Sequence, residues 1–383
     1  MTNNLTIGYT CNVRPPELDG DPKYGEWESH ETIEAIIQSF EKTGNKVILI
    51  DADKDVYHKL LRYDREIDIV FNNAEGLSET NIREAIVPFF CEVLQIPYTG
   101  SGPQTLINGL DKPTTKEILR NYGINTALFQ KMESYADRLE KSLHFPLMVK
   151  PTSEGTSIGI TQKSKVENDK ELEKAVRKVI RECRQPALVE EYISGDEYTV
   201  GIIGNYVLPI IKIRFEEIPG NPIIRDPHIK EIENPYITLM SQEEKGYFDL
   251  GRQTVIAFEA LCCNDYCRID FRRKGIDGKF YFLEMNPLPG LSPIGSGPVS
   301  KESDLPHMTR HAGIEYYETI NWIMWEAIKR LRKDKNYVDR FTESKIEGVS
   351  SCARFVKNKI KLYNKSDTSN LNEEDYRMVQ SVR

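Results

Sequence analysis

The sequence predicts an α/β protein of two or three packed lobes that opens with a parallel sheet covered by helices. Three observations carry this. Over about the first hundred residues, short strand-like runs alternate with amphipathic helical runs, the pattern of a parallel sheet whose crossovers are helices. The chain has 383 residues, too long for one ordinary small domain. Its hydrophobic content is 39%, enough for real cores.

Leu5–Tyr9 (LTIGY) reads as the first strand, and 12–28, rich in Pro, Gly and Asp, as a long loop. Glu31–Lys42 carries apolar residues at helical spacing and meets Gly44, suited to a C-cap. Lys46–Ile50 (KVILI) is a second strand, Val56–Arg65 a helix, and Ile67–Phe71 (IDIVF) a third strand. Turn-rich Thr99–Pro103 (TGSGP) marks the edge of this lobe, placed at 1–105. A helix at Lys112–Tyr122, a strand at Pro146–Lys150, a charged helix at Glu171–Arg184 and a strand at Ala187–Tyr192 make a second lobe, 106–194. A third, 195–332, holds strands at Glu197–Ile203, Val207–Ile213, Cys267–Arg272 and Phe280–Met285, with helices at Tyr247–Ala260 and Tyr316–Arg332. From Lys333 the chain turns polar, and 333–383 reads as an appendage, partly disordered or packed on the surface. No internal repeat is visible.

Composition narrows the function. The formal net charge of −8 argues against nucleic acid or an anionic membrane as the main partner. No early apolar run resembles a signal peptide and none reaches the length of a membrane span, so a cytoplasmic protein is expected. The seven cysteines, odd in number and without a framework of spacings, agree. Cys262, Cys263 and Cys267 cluster with no second pair nearby and read as buried thiols rather than zinc ligands. His307 and His311 would share a helical face but lack the Glu of a zinc protease motif, so they read as histidines on the surface or supporting a site from behind.

Three stretches carry chemistry. In the first, Arg268 and Asp270 alternate along one strand, and Glu284 and Asn286 along the next, so each pair shares a face. Hard oxygen ligands of this kind suit magnesium, and the apolar neighbours Phe271, Phe282, Leu283 and Met285 argue against two merely wetted strand faces. In the second, Lys150 ends a strand and opens a loop of small residues, Lys150–Gly159 (KPTSEGTSIG). Backbone N–H groups and hydroxyls there can wrap phosphate oxygens, with the lysine as a point charge. The loop is neither a Walker loop nor a Rossmann fingerprint, and alone it is equally an ordinary turn. In the third, Leu188–Ile193 (LVEEYI) precedes Gly195–Tyr198 (GDEY). A strand edge can hydrogen-bond an adenine and a following acid can hold ribose hydroxyls, although a solvated acidic strand end has the same appearance.

Together these pieces resemble the ATP-grasp superfamily, and within it the D-alanine–D-alanine ligases. The resemblance runs from about Asp68 to Glu326 and is dense over DIVFN (68–72), PYTGSG (97–102), Asp111–Lys112, VKPTSEGTSIG (149–159), LVEEYISGDEYTV (188–200), RIDF (268–271) and LEMNPLPGLS (283–292). It implies an ATP-grasp fold: an N-terminal parallel-sheet lobe and two α+β lobes clamping ATP. It implies that Lys112 and Lys150 contact ATP phosphates, with Thr156 and Ser157 in the covering loop. It gives adenine to Glu190 and the Tyr192–Ile193 backbone, and the ribose to Glu197. Asp270, Glu284 and Asn286 would bind two magnesium ions, or manganese in their place. Arg268 and the Gly290 amide would stabilise an oxyanion, and Lys230, in a lid of about 214–234, would close over the phosphates. The activity implied joins a small-molecule carboxylate to an amine through an acyl phosphate, releasing ADP and phosphate. A homodimer is allowed for, with neither nucleic acid nor membrane as partner.

The substrate half departs from the family pattern. The long Cys11–Ser29 stretch replaces a short Gly-rich turn, and Glu26, Glu28 and Glu31 all stand as candidates to orient the first substrate's amine. Pro287 follows the metal-site asparagine where Thr is usual, Gly295 stands where a serine holds the second amino acid's carboxylate, with Ser296 beside it, and Glu231 replaces the lid tyrosine. D-alanyl-D-alanine synthesis is therefore not the expected main activity. Two other readings stand: a small-molecule kinase on the same fold, against which Arg268 and Gly290 argue, and a non-catalytic ATP-binding protein, against which the full Asp270, Glu284, Asn286 set argues.

Overall fold

Three sheets organise the residues that the computed structural model describes, which are 4–18, 24–76, 82–155, 157–220, 222–232, 236–275, 278–293 and 302–366. The first holds β1 (Thr6–Cys11), β2 (Lys46–Asp51) and β3 (Ile69–Asn73) in the order β2-β1-β3, all parallel. Parallel strands need crossovers, and α1 (His30–Glu41) and α2 (Val56–Tyr63) supply them. Ser29 starts α1 by accepting the Thr32 amide at 3.2 Å on Oγ. Then α3 (Ile86–Leu94) leads to α4 (Pro103–Leu110) and α5 (Lys112–Asn121). Asp111 ends one helix and caps the next, its Oδ1 accepting the Thr114 amide at 2.8 Å, and this sharp bend fixes Lys112 at the first position of α5.

The second sheet is antiparallel, order β4-β7-β5-β6, built from β4 (Phe129–Met132), β5 (Leu147–Pro151), β6 (Lys165–Val166) and β7 (Ala187–Glu191), with α6 (Asp169–Lys178) packed on it. The third comprises β8 (Glu197–Ile203), β9 (Tyr206–Val207), β10 (Ile211–Ile213), β11 (Ile237–Leu239), β12 (Tyr266–Lys274) and β13 (Lys279–Asn286). Its order is β11-β10-β8-β12-β13, antiparallel, with β9 beside β8. The expected single strand Val207–Ile213 is thus two short ones, because Pro209 between them has no N–H to give a ladder. The helices α7 (Pro227–Ile232) and α8 (Tyr247–Ala260) lie between these strands in sequence; α9 (Asp304–His311), α10 (Tyr316–Leu331) and α11 (Glu343–Ser366) follow.

One hydrophobic core joins the first sheet to α10 and the edge of the third, uniting Tyr9, Phe40, Phe71, Tyr266 and Trp322. It also corrects the reading of the tail. Ile346, Val349, Ala353, Val356 and Ile360 on α11 are fully buried, most of them in this same core. Their spacing of three and four is a helical stripe, diluted to the eye by the charges between. Residues 367–383 lie outside the described part.

Candidate active site

The register of β12 and β13 sets the centre of the site. Arg268 stands opposite Asn286 and Asp270 opposite Glu284, so the four side chains form two adjacent cross-strand pairs on one sheet face. Directly beyond them the ladder slips between Asp270 and Phe271. Arg268 Nη2 meets Asp270 Oδ2 at 3.0 Å and its Nη1 meets Asp304 Oδ2 at 3.4 Å. Asp304 is also held by both Arg225 nitrogens, at 2.9 and 3.1 Å. Two buried atoms on this face, Asp270 Oδ1 and Asn286 Nδ2, have no protein partner. Buried polar atoms without a partner are unusual, and the nitrogen and oxygen of an amide are interchangeable by rotation. Two carboxylates and an amide therefore fit a hard divalent cation that also takes water or phosphate oxygens. Among the described residues no group of three or more His, Cys, Asp or Glu that could hold a metal ion is found, and the set here is two carboxylates with one amide.

Cations face these oxygens from three directions. Lys112 Nζ lies 3.5 Å from Glu284 Oε2. Burial pushes the Glu284 carboxyl up, but Lys112, Lys150, Lys230 and Arg268 together bring it down to about 2. Asp270 goes the other way: burial raises it, and Glu284 and Asp304 add to this against the pull of Arg268. Lys230 on α7 is lowered by burial and by Arg225 and Arg268, while Glu284 and Asp304 attract its ammonium. That segment is tied down over the phosphate-type loop. Ser157, at φ 62°, donates to the Arg225 carbonyl at 3.0 Å, and Gln162 Nε2 donates to the Ile224 carbonyl at 2.7 Å and to Asp226 at 2.8 Å.

Lys116 is a group that sequence reading missed. It sits one turn after Lys112, on the same face of α5, and is fully buried. Its Nζ is 2.9 Å from Glu190 Oε2, and Lys150 Nζ is 2.7 Å from Glu190 Oε1. Burial pushes Glu190 up, yet the two ammoniums hold it at about 2. Glu190 thus bridges two lysines from two elements, a use additional to the adenine contact expected of it. The cleft itself has apolar walls from Met148, Ile160 and Leu283, runs along the Glu191–Ile193 edge, and reaches Lys150, Asp270 and Glu284 at its polar end. Arg272 braces that edge by donating to the carbonyls of Ile193 at 3.1 Å and Ile223 at 2.8 Å, and lies 3.7 Å from Glu197.

The remaining expected residues fall out as follows. Gly290 is exposed beyond β13, and a side chain there would press on Ser303 Oγ, the neighbour of Asp304. Glu28 is buried and accepts from Asn73 Nδ2 at 2.6 Å; burial pushes its carboxyl up to about 7 against the pull of Asn73, Arg14 and Thr32. Glu26 pairs with Arg83 at 3.4 Å and abuts Gly155, where an added side chain would displace the Glu26 carboxylate. Glu31 is exposed on the first turn of α1. Thr156, Gly295 and Ser296 lie outside the described residues, as does the side chain of Glu231.

Comparison with known proteins bears on the family and the fold. A family model described as D-ala D-ala ligase C-terminus matches residues 118–324. The uncharacterized protein y4sG of Sinorhizobium fredii (strain NBRC 101917 / NGR234) is 31% identical over 316 residues, 79% of this chain and 89% of that protein. The D-alanine–D-alanine ligase of Aquifex aeolicus (strain VF5) is 30% identical over 297 residues, 77% of this chain and 94% of that one. The crystal structure of D-alanine–D-alanine ligase from Bacillus anthracis complexed with ATP superposes with a TM-score of 0.64 at 24% identity, covering 86% of this chain and 99% of that chain, which marks a shared fold. The chain belongs to the D-alanine–D-alanine ligase family of ATP-grasp proteins.

Proposed function

We propose that this protein is an ATP-dependent, ADP-forming ligase that joins a small-molecule carboxylate to an amine other than in D-alanyl-D-alanine synthesis. The observation that carries it is the convergence of Lys112, Lys150 and Lys230 on Glu284, beside Asp270 and Asn286, at the polar end of an apolar cleft. In this reading adenine lies between the apolar walls against the Glu191–Ile193 edge, with Glu197 at the ribose. Lys112 and Lys150 take phosphate oxygens, and Lys116 and Glu190 hold Lys150 in place. Ser157 covers the phosphates, and Lys230 closes from the lid.

A carboxylate does not condense with an amine at neutral pH because its oxygen is a poor leaving group. Attack of that oxygen on the γ-phosphorus expels ADP and leaves an acyl phosphate. Asp270, Glu284 and Asn286 would hold magnesium, which would draw charge off the phosphoryl oxygens. The amine nitrogen then attacks the acyl carbon, a proton leaves the nitrogen, and the C–O bond to phosphate breaks. Arg268 and the Gly290 amide meet the oxyanion formed on the way; one such donor is worth about 3 kcal/mol. The stitches between Ser157, Gln162 and the 222–230 segment keep water from the acyl phosphate. Incubating a carboxylic acid labelled with 18O with ATP and amines tests the scheme. One labelled oxygen should appear in the released phosphate beside ADP, and AMP with pyrophosphate would refute it.

A further inference from the structure

Resting on the ligase reading above, we propose that Arg225 and Asp304 are positioning residues that tie the cover over the phosphates to the acyl centre and leave Arg268 its charge for the oxyanion. Arg225 faces two ways. Its carbonyl accepts from Ser157 Oγ at 3.0 Å, and the residues on either side of it are fastened by Gln162, which donates to the Ile224 carbonyl at 2.7 Å and to Asp226 at 2.8 Å. Its side chain reaches the start of α9, where both terminal nitrogens donate to Asp304, at 2.9 and 3.1 Å. Both residues are buried. One residue thus touches the phosphate-type loop with its backbone and α9 with its side chain.

The start of α9 in turn fastens both groups assigned to the oxyanion. The Ser303 amide donates to the Ser292 carbonyl and the Ser292 amide donates to Ser303 Oγ, each at 3.0 Å. A side chain at Gly290 would meet that same Oγ, so the 290–292 segment is seated on Ser303. Asp304, the next residue, sets its Oδ2 3.4 Å from Arg268 Nη1. Two consecutive residues therefore hold the Gly290 backbone and the Arg268 side chain relative to each other.

Asp304 stands between two guanidiniums and does not serve them equally. It grips Arg225 through a bidentate pair, the strongest geometry for these groups, and lies further from Arg268. Arg268 makes its shorter contact with Asp270, at 3.0 Å, and its buried Nε has no protein partner. A buried donor left over beside the metal-type carboxylates is a donor for a substrate oxygen. Without Arg225, Asp304 is a buried carboxylate that draws Arg268 toward itself and off the reacting oxygen. Without Asp304, two like charges face each other and Arg268 is turned aside. Removing both charges restores the balance. Phosphoryl transfer leans on Lys112, Lys150 and Lys230, whereas attack by the amine leans on Arg268 and Gly290, so the second step suffers more.

The test uses the full chain with magnesium, ATP and an acid–amine pair for which the wild type releases labelled phosphate in the experiment above. Arg225→Gln should lower kcat at least about tenfold, with KM for ATP kept within about twofold. It should also lower the amide formed per ADP, because acyl phosphate left waiting for the amine is hydrolysed back to acid and phosphate. Asp304→Asn should do the same, and it carries these readings alone if Arg225→Gln does not fold. The double variant should turn over faster than either single one. A clasp that serves stability alone predicts the opposite, a double variant at least as slow as the slower single one. A double variant that does not exceed both singles, an unchanged yield of amide per ADP, a loss carried by KM for ATP, or single variants within about twofold of the wild type would overturn the proposal. Wild-type ligation with fast, coupled single variants removes this role and leaves the ligase reading. A wild type that releases no ADP with any acid and amine removes the ligase reading, and the role with it.

Discussion

At the scale of single residues, charge placement decides most of the chemistry. Glu284 is the carboxylate on which Lys112, Lys150 and Lys230 act together. Replacing it by Gln keeps size and the strand but removes a charge from the proposed magnesium ligands. Glu284→Gln should therefore lose at least about 100-fold in turnover, the scale of one transition-state electrostatic contact, with an unchanged circular dichroism spectrum. Wild-type rates would refute the assignment. Glu28 gives a second prediction. Its folded pKa of about 7 lies above the ordinary carboxylate value, so its contribution to stability is full below about pH 4.5 and is lost as pH rises through 7. Urea melts at pH 5 and pH 8 should show the wild type losing on the order of 3 kcal/mol relative to Glu28→Gln. A loss of the opposite sign would refute the buried titration. Much of this centre was legible because it is local: strand alternation alone puts Arg268 with Asp270 and Glu284 with Asn286. Lys116 was equally within reach, being one helical turn from Lys112, and was missed because nothing marks a buried lysine in a polar helix sequence. Arg83, Arg225 and Asp304 were not within reach. They arrive from a 3-10 turn, a loop and the start of α9, and Arg225 and Asp304 meet across 79 positions, which no periodicity can reveal.

At the scale of elements, α11 shows how a stable helix hides in a charged sequence. Its apolar stripe packs on α10, while Lys345 reaches Asp68 and Lys359 reaches Glu318, each at 2.7 Å. Gly348 is the contact point, passing so close to the Thr43 carbonyl that a side chain cannot fit without movement. Two effects compete in Gly348→Ala. Helix propensity favours alanine by about 1 kcal/mol, whereas forcing a methyl into a packed contact costs about 1–3 kcal/mol. The contact should win because the neighbour is backbone, so the variant should melt lower than the wild type by a few degrees. A higher melting temperature would mean that α11 is only loosely docked. The regular elements of the first lobe were readable, since hydrophobic alternation and helical spacing are strong there. The short elements were not: β9 and β10 read as one run until Pro209 is weighed, and α4 lies hidden behind the turn-rich Thr99–Pro103.

At the scale of the whole molecule, two halves carry different constraints. The nucleotide half gathers lysines from α5 and β5, the edge of β7 and the β12–β13 pair around one cleft, and these are the parts densest in family resemblance. On the side of the first sheet, Glu28 is buried and accepts from Asn73, and the buried Tyr266 hydroxyl on β12 has no hydrogen-bond partner. A buried polar group left without its partner costs about 1–3 kcal/mol, and more when charged. Two sequence departures argue against D-alanine as acceptor: Gly295 stands where a hydroxyl is expected at the second substrate's carboxylate, and Glu231 where a lid tyrosine is expected. With D-alanine as sole acid and amine, turnover should fall well below the roughly 1 per second that begins the ordinary enzyme range. Phosphate release measured with D-alanine and ATP decides it, and a rate at or above that value would return this protein to D-alanyl-D-alanine synthesis.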